Sequence, residues 1–274
     1  MATDDGLGIF YTDYERTEEE FLAALDESLG ARGPDMLYDL VGEFGLPAGA
    51  TAVDVGCGEG RQAILLAERF GLSVTGVDPL WNHLDEARAQ LASSARRTPA
   101  LATRVGFEQG RAEALAFPNA SVDLVWCKDV LVHVVELERV YQEFHRVLRP
   151  QGRALVYQSC FATGRLAPTE AKEVWSVGFV RENADPARTD AAISASGLRV
   201  VDRIDVGLEW GEHAQEHTGK AGRRLLHVAR LLREPERYKA RFGSRAYNIM
   251  LGDCLWHVYR LLGKMEERVY VLSK

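Results

Sequence analysis

Thr51-Ala52-Val53-Asp54-Val55-Gly56-Cys57-Gly58-Glu59-Gly60 reads as a buried strand that runs into a glycine-paved turn. A helix follows at Arg61-Gln62-Ala63-Ile64-Leu65-Leu66-Ala67. Glycine lets a backbone take φ > 0 and approach a ligand closely, and a helix N-terminus adds free N–H donors. The turn is therefore a seat for a nucleotide-like ligand.

Around it, strands and helices alternate. The spacing predicts helices over 13–30 (Phe21, Leu22, Leu25, Leu29) and 34–45 (Met36, Leu37, Leu40, Val41), the second stopped by Gly45 and Pro47. Then come strand 51–55, helix 59–70, strand 72–77, helix 81–96, a strand near 103–108 and strand 122–126. Helix 136–148, strand 153–157, a helix near 186–196 ending at Gly197, strand 198–204 and a last strand 268–272 complete the order. This alternation predicts an α/β fold: a doubly wound, mostly parallel, seven-stranded Rossmann-like sheet with helices on both faces. Two stretches break it, 161–184 without clear periodicity and 207–266, largely helical. One domain is expected over 1–274: N-terminal helices 1–47, a cofactor-binding core 48–206, a helical cap insertion 207–266, and the last strand 267–274.

The composition narrows the function classes. Of 274 residues, 46% are hydrophobic and 27% charged, as in a globular chain with a full core, and the formal net charge of −7 disfavours nucleic acid. No apolar run reaches the ~18 residues of a membrane helix, and the N-terminus lacks the pattern of a secretion signal, so a cytoplasmic location is expected. The four cysteines (Cys57, Cys127, Cys160, Cys254) form no Cys-x-x-Cys pair and read as reduced, buried thiols.

The same turn would serve a nicotinamide dinucleotide, but Arg61 stands where that fingerprint wants its third glycine. Asp54 would sit badly beside a pyrophosphate and well beside the ammonium of a methionine moiety. Asp78, followed by Pro79, ends the second strand, spaced to accept both hydroxyls of a ribose. At this point the chain resembles the class I S-adenosylmethionine-dependent methyltransferases over roughly residues 35–205. The resemblance is carried by Val53–Gly60, by Gly76-Val77-Asp78, by the segments 109–118 and 121–125, and by Phe144–Gly152. It implies that Asp54, Gly56, Cys57 and Gly58 hold the methionine end of S-adenosylmethionine and that Asp78 holds the ribose. It further implies that Ala112 and Glu113 line the adenine pocket and that Cys127 and Lys128 offer backbone groups near the amine. One position departs: Arg111 stands where the family usually carries an Asp that accepts from the adenine amino group, leaving that role to Glu113 or a backbone carbonyl.

Methyl transfer needs alignment and, for a hydroxyl, a base. Trp126-Cys127-Lys128-Asp129-Val130-Leu131-Val132-His133 delivers an acid and a histidine just past the sheet edge. The segment resembles small-molecule methyltransferases, the phosphobase enzymes among them. His133 is the candidate base, and Asp129, one helical turn earlier, would orient its ring or grip an amine. Tyr11 and Tyr14 precede the first helix, in a segment that in such relatives closes over the cofactor; the resemblance implies that Tyr14 touches it, the alternative being that both rings anchor that helix on the domain. His213 and His217 share a helix face, but the pattern is not His-Glu-x-x-His and no metal is expected. Arg223, Arg224, Arg230 and Arg233 read as the wet side of a helix whose dry side is Leu225, Leu226, Val228 and Leu231; Trp256, Tyr259 and Leu262 read as core or interface. The insertion is a candidate acceptor wall and a candidate contact between copies of the chain.

The expected function is methyl transfer to O or N, or to C, of a small metabolite, in secondary metabolism. Alternatives left open are an NAD-dependent oxidoreductase and a non-catalytic S-adenosylmethionine-binding subunit.

Overall fold

The computed structural model describes residue 18 and residues 20–27, 30–174 and 178–274. Its centre is one seven-stranded sheet. The strands are β1 (Thr51–Val55), β2 (Ser73–Asp78), β3 (Val105–Gln109), β4 (Val122–Lys128), β5 (Leu148–Ala162), β6 (Arg199–Gly207) and β7 (Met265–Ser273). Their order across the sheet is β3-β2-β1-β4-β5-β7-β6. The first five run parallel, and β7 lies antiparallel between β5 and β6. The chain reverses its direction of growth between β1 and β4, and a doubly wound sheet opens its ligand crevice at such a switch, beyond the carboxyl ends of the strands.

The apolar runs of the central strands follow from burial on both faces. Ala52, Leu124, Trp126, Leu155 and Tyr157 pack on one side with α1 (Met36–Glu43) and α2 (Arg61–Phe70). Val53, Val55, Val125, Cys127 and Val156 pack on the other, against α5 (Leu137–Val147) and α7 (Pro186–Ser196). Between these lie α3 (Trp81–Ala95), α4 (Leu101–Arg104) and α6 (Pro168–Val174). Helix α7 has sharp ends: Asp185 accepts from Ala187 N–H, Pro186 takes the first position and Gly197 closes it.

Residues 208–262 form the cap: α8 (Glu209–Thr218), α9 (Lys220–Arg233), α10 (Pro235–Phe242) and α11 (Ser244–Leu261). It is seated on the carboxyl edge of the sheet in two places. Trp210 stacks on Tyr157 with centroids 4.2 Å apart. Leu251, Leu255 and Val258 of α11 share a core with Val132 and Cys160. The predicted dry side of α9 differs at two positions, because Leu225 and Leu226 are exposed while Val228 and Leu231 are buried. The 100° step of a helix brings Arg224 inward with Val228 and Leu231 instead, toward Asp253 of α11 at 2.8 Å. Leu262 is likewise exposed, whereas Tyr259 is buried.

Of the predicted helix over 13–30, residue 18 and residues 20–25 are helical, with Phe21, Leu22 and Leu25 exposed. No helix among the described residues is long and apolar enough to cross a membrane.

Candidate active site

The turn after β1 takes its shape from alternate left-handed residues, Gly56, Gly58 and Gly60 (φ 72, 51 and 79°). Gly56 and Cys57 N–H groups both donate to the Val77 carbonyl, at 2.7 and 3.1 Å, and so tie the turn to β2. Asp78 is held from two sides: Gly58 N–H donates to one carboxylate oxygen at 3.0 Å, Leu80 N–H to the other at 2.9 Å. His83 Nδ1 stands 3.2 Å from that second oxygen. His83 escaped the sequence reading, although its place on the first turn after the strand-two acid was a usable signal.

A cavity of about 720 Å³ opens over this turn. Gly56 and Gly58 form its floor, Asp78 and Pro79 one wall, and Ala112 and Glu113 another. Arg111 is exposed and lies 3.7 Å from Glu113, so the residue that departs from the family pattern is tied to the one expected to replace it. Asp54, Cys57, Cys127 and Lys128 lie outside the cavity wall, and Tyr11 and Tyr14 lie outside the described residues.

Two observations test whether S-adenosylmethionine fits. At Gly58 a Cβ would meet nothing within 4 Å, so the backbone faces open space where a ligand can approach. Asp54 is 2% exposed, and its Oδ2 has no hydrogen-bond partner. Burial pushes its carboxyl up to about 7, against the pull of the Ala63 N–H and of Lys128. A buried acid with one oxygen unpartnered, beside a nucleoside-sized cavity, suits a ligand that ends in an ammonium. The residues present fit the cofactor.

At the exit of β4 the chain turns sharply. Asp129 sits at φ 59°, a conformation that non-glycine residues rarely adopt and that clusters at functional sites. Its carboxylate accepts from Ser159 Oγ and lies 3.4 Å from Lys128 Nζ. The predicted Asp129–His133 contact does not form, because Leu131–His133 is a 3-10 turn rather than a continuing helix. His133 is instead oriented by its Nδ1–H, which donates to the Gly178 carbonyl at 3.1 Å, with Phe179 against the ring at 5.3 Å. That bond fixes the tautomer and leaves Nε2 able to accept a proton.

The turn is pinned from below by buried Asn183, whose Nδ2 donates to the carbonyls of Leu131 (2.6 Å) and Val134 (2.7 Å). Asn183 fell in the stretch without periodicity and carried no sequence signal. Asn183→Ala strands both carbonyls and is expected to lower stability by about 1–3 kcal/mol, read from the urea midpoint at unchanged m-value. A loss under about 0.5 kcal/mol would show that water replaces the amide.

A second cavity, of about 290 Å³, adjoins the first and shares Asp129 and His133 with it. Ser159 and Cys160 of β5 and Asp253 and Trp256 of the cap help to enclose it. Trp256, read from the sequence as core or interface rather than a substrate wall, is a wall of this space, with its Nε1–H donating to the Ser159 carbonyl at 3.1 Å. The rings of His213 and His217 stack at 3.9 Å, and among the described residues no three His, Cys, Asp or Glu are grouped to hold a metal.

Residues 53–156, from the middle of β1 into β5, match the family model described as a methyltransferase domain. That stretch, and not the cap, carries the match to the methyltransferase model. Over 130 residues (47% of the chain and 45% of the relative) the chain is 32% identical to Methyltransferase GfsG of Streptomyces halstedii. Over 84% of its length it is 25% identical to O-methyltransferase resE of Aspergillus sclerotiorum, covering 86% of that protein. For most such relatives the match spans less than half of their length. The fold is shared with the [4+2]-cyclase SpnF (TM-score 0.65, 23% identity, 88% of this chain and 81% of that one). Another protein with this fold, the phosphoethanolamine N-methyltransferase 2 of Haemonchus contortus, was solved in complex with S-adenosyl-L-methionine (TM-score 0.63, 20% identity, 89% of this chain and 53% of that one).

Proposed function

We propose that this protein methylates a hydroxyl oxygen or an amine nitrogen of a small metabolite seated in the second cavity. The observation that carries the reading is the shared wall: Asp129 and His133 face both cavities, so a nucleophile in one lies beside the cofactor in the other. Bound S-adenosylmethionine supplies an electrophilic methyl group on sulfur. Asp54 and the Gly56–Gly58 turn hold its amino-acid end, Asp78 its ribose, and Ala112 and Glu113 its adenine. The cap excludes water and aligns the acceptor, and alignment is the larger part of the acceleration in a displacement of this kind. His133 Nε2 takes the proton of a hydroxyl acceptor as the oxygen–carbon bond forms. Asp129, held by Ser159 and Lys128, fixes the floor beneath it. The exposed Leu226, Phe242 and Met250 on the outer face of the cap support the reading of this insertion as a contact between copies as well.

His133→Ala is expected to lower kcat by roughly 10²–10⁴, the span of a general base, with S-adenosylhomocysteine affinity held within about threefold. Release of S-adenosylhomocysteine over a panel of hydroxyl and amine acceptors measures the first, and calorimetry the second. Equal turnover in the variant removes His133 from the chemistry. Cofactor binding with no transfer to any acceptor supports a binding subunit, and preference for NADH over S-adenosylhomocysteine supports an oxidoreductase.

A further inference from the structure

Hydrogen-bond donors in the wall of the second cavity are already committed among the described residues. Ser159 Oγ–H is given to Asp129, Trp256 Nε1–H to the Ser159 carbonyl, and His133 Nδ1–H to the Gly178 carbonyl. What faces the space is acceptor in character: the carboxylates of Asp129 and Asp253, and His133 Nε2. The nearest cations do not line it, and Arg260, over the Trp256 ring at 4.7 Å, is paired with Glu267. Lys128 Nζ lies 3.4 Å from Asp129 and over the rings of Tyr157 and Trp210, at 5.3 and 5.7 Å. Arg224 Nη1 is 2.8 Å from Asp253 and turned toward Cys254 Sγ. The remaining enclosure is apolar or aromatic, with Val132, Phe179 and Trp256.

From this arrangement we infer that the second cavity selects an acceptor that brings its own donors on a neutral or cationic body, and rejects one carrying a carboxylate or phosphate. The inference rests on the methyl-transfer reading above and names its substrate class. A buried anion requires a donor fork or a nest of N–H groups, and none is offered here. It would also face two carboxylates in a partly dehydrated space, where like charges repel far more than in water. An ammonium meets the reverse, two carboxylates that attract it. A hydroxyl meets His133 Nε2. Asp253 sets the sign of the cap side, and it does so from a helix outside the family-matched residues 53–156.

Three phenols of similar size separate the charge classes: tyramine, 4-ethylphenol and 3-(4-hydroxyphenyl)propionate. Their affinities for the full chain are measured by calorimetry at pH 8, with and without saturating S-adenosylhomocysteine. Tyramine is expected to bind tightest, 4-ethylphenol next, and the propionate roughly tenfold or more below tyramine. Asp253→Asn should close most of that gap while leaving S-adenosylhomocysteine affinity unchanged, which also shows that the variant is folded. A propionate that binds as well as tyramine overturns the inference. So does a gap that survives Asp253→Asn, or a failure of all three phenols to bind. Failure of S-adenosylhomocysteine to bind strikes the methyl-donor reading instead, because the charge order is also measured without it.

Discussion

Gly58→Ala is expected to leave the fold standing and abolish cofactor binding, whereas Gly56→Ala brings down both. The two glycines share a turn and a left-handed conformation, yet their surroundings differ. At Gly58, φ is 51° and an added Cβ meets no protein atom within 4 Å. The native state then bears only the left-handed penalty of a non-glycine residue, about 1–2 kcal/mol. The methyl group instead fills the space over the cavity floor, where the ligand must approach the backbone. At Gly56, φ is 72° and the Cβ would lie 2.2 Å from Val130 Cγ2 and 2.8 Å from Cγ1. Val130 is β-branched and follows Asp129, itself at φ 59°, so it has little room to retreat without moving the β4 exit. Overpacking of that kind adds roughly 1–3 kcal/mol to the strain. Thermal melts separate the variants on stability, and S-adenosylhomocysteine calorimetry on binding. Retention of affinity within about threefold in Gly58→Ala would place the ligand elsewhere.

This turn was legible in the sequence because its demands are local: a buried strand, glycines where φ turns positive, a helix at once. The same holds for the capped ends of α7, where Asp185, Pro186 and Gly197 act within a few residues of themselves. Strand β5 was read as 153–157 and runs over Leu148–Ala162, because its distal half is held by antiparallel pairing with β7, as at Phe161 with Glu266. Such pairing joins residues about a hundred positions apart and leaves no periodic mark. The second cavity was hidden for the same reason. Ser159, Asp253 and Trp256 belong to no shared motif and converge only when the cap docks on the sheet. The orientation of His133 was misread because helical spacing was assumed after Asp129, where the left-handed backbone redirects the chain and the partner is a carbonyl 45 residues on.

Asp54→Asn should make the ligand-free protein more stable at pH 8 while weakening its hold on the cofactor. Burial raises the Asp54 carboxyl from its ordinary 3.8 to about 7, so between those values the folded state binds a proton that the unfolded chain has released. Stability from this group is therefore full below pH ~4 and lost as pH rises through about 7, a difference on the order of 4 kcal/mol. His257 opposes it over part of the same range. Burial beside Arg260 and Arg224 lowers its imidazole to about 4, which makes the fold more stable as pH rises from 4 to 6.5. The raw stability profile is consequently flattened, and the contribution of Asp54 is read from the difference between wild type and Asp54→Asn. That difference should be near zero at pH 4 and grow to a few kcal/mol in favour of the variant by pH 8. Cofactor binding should run the other way. An ammonium beside Asp54 favours the ionised acid, so affinity for S-adenosylhomocysteine climbs with pH up to about 7 and then levels. Below that pH, binding releases a proton, detectable as a dependence of the calorimetric heat on buffer ionisation. Asp54→Asn should lose roughly tenfold or more in affinity, as for a hydrogen bond to a charged group, together with the pH dependence. A variant that keeps wild-type affinity and its pH profile would remove Asp54 from the cofactor site and leave its buried, unpaired oxygen to be explained by the fold alone.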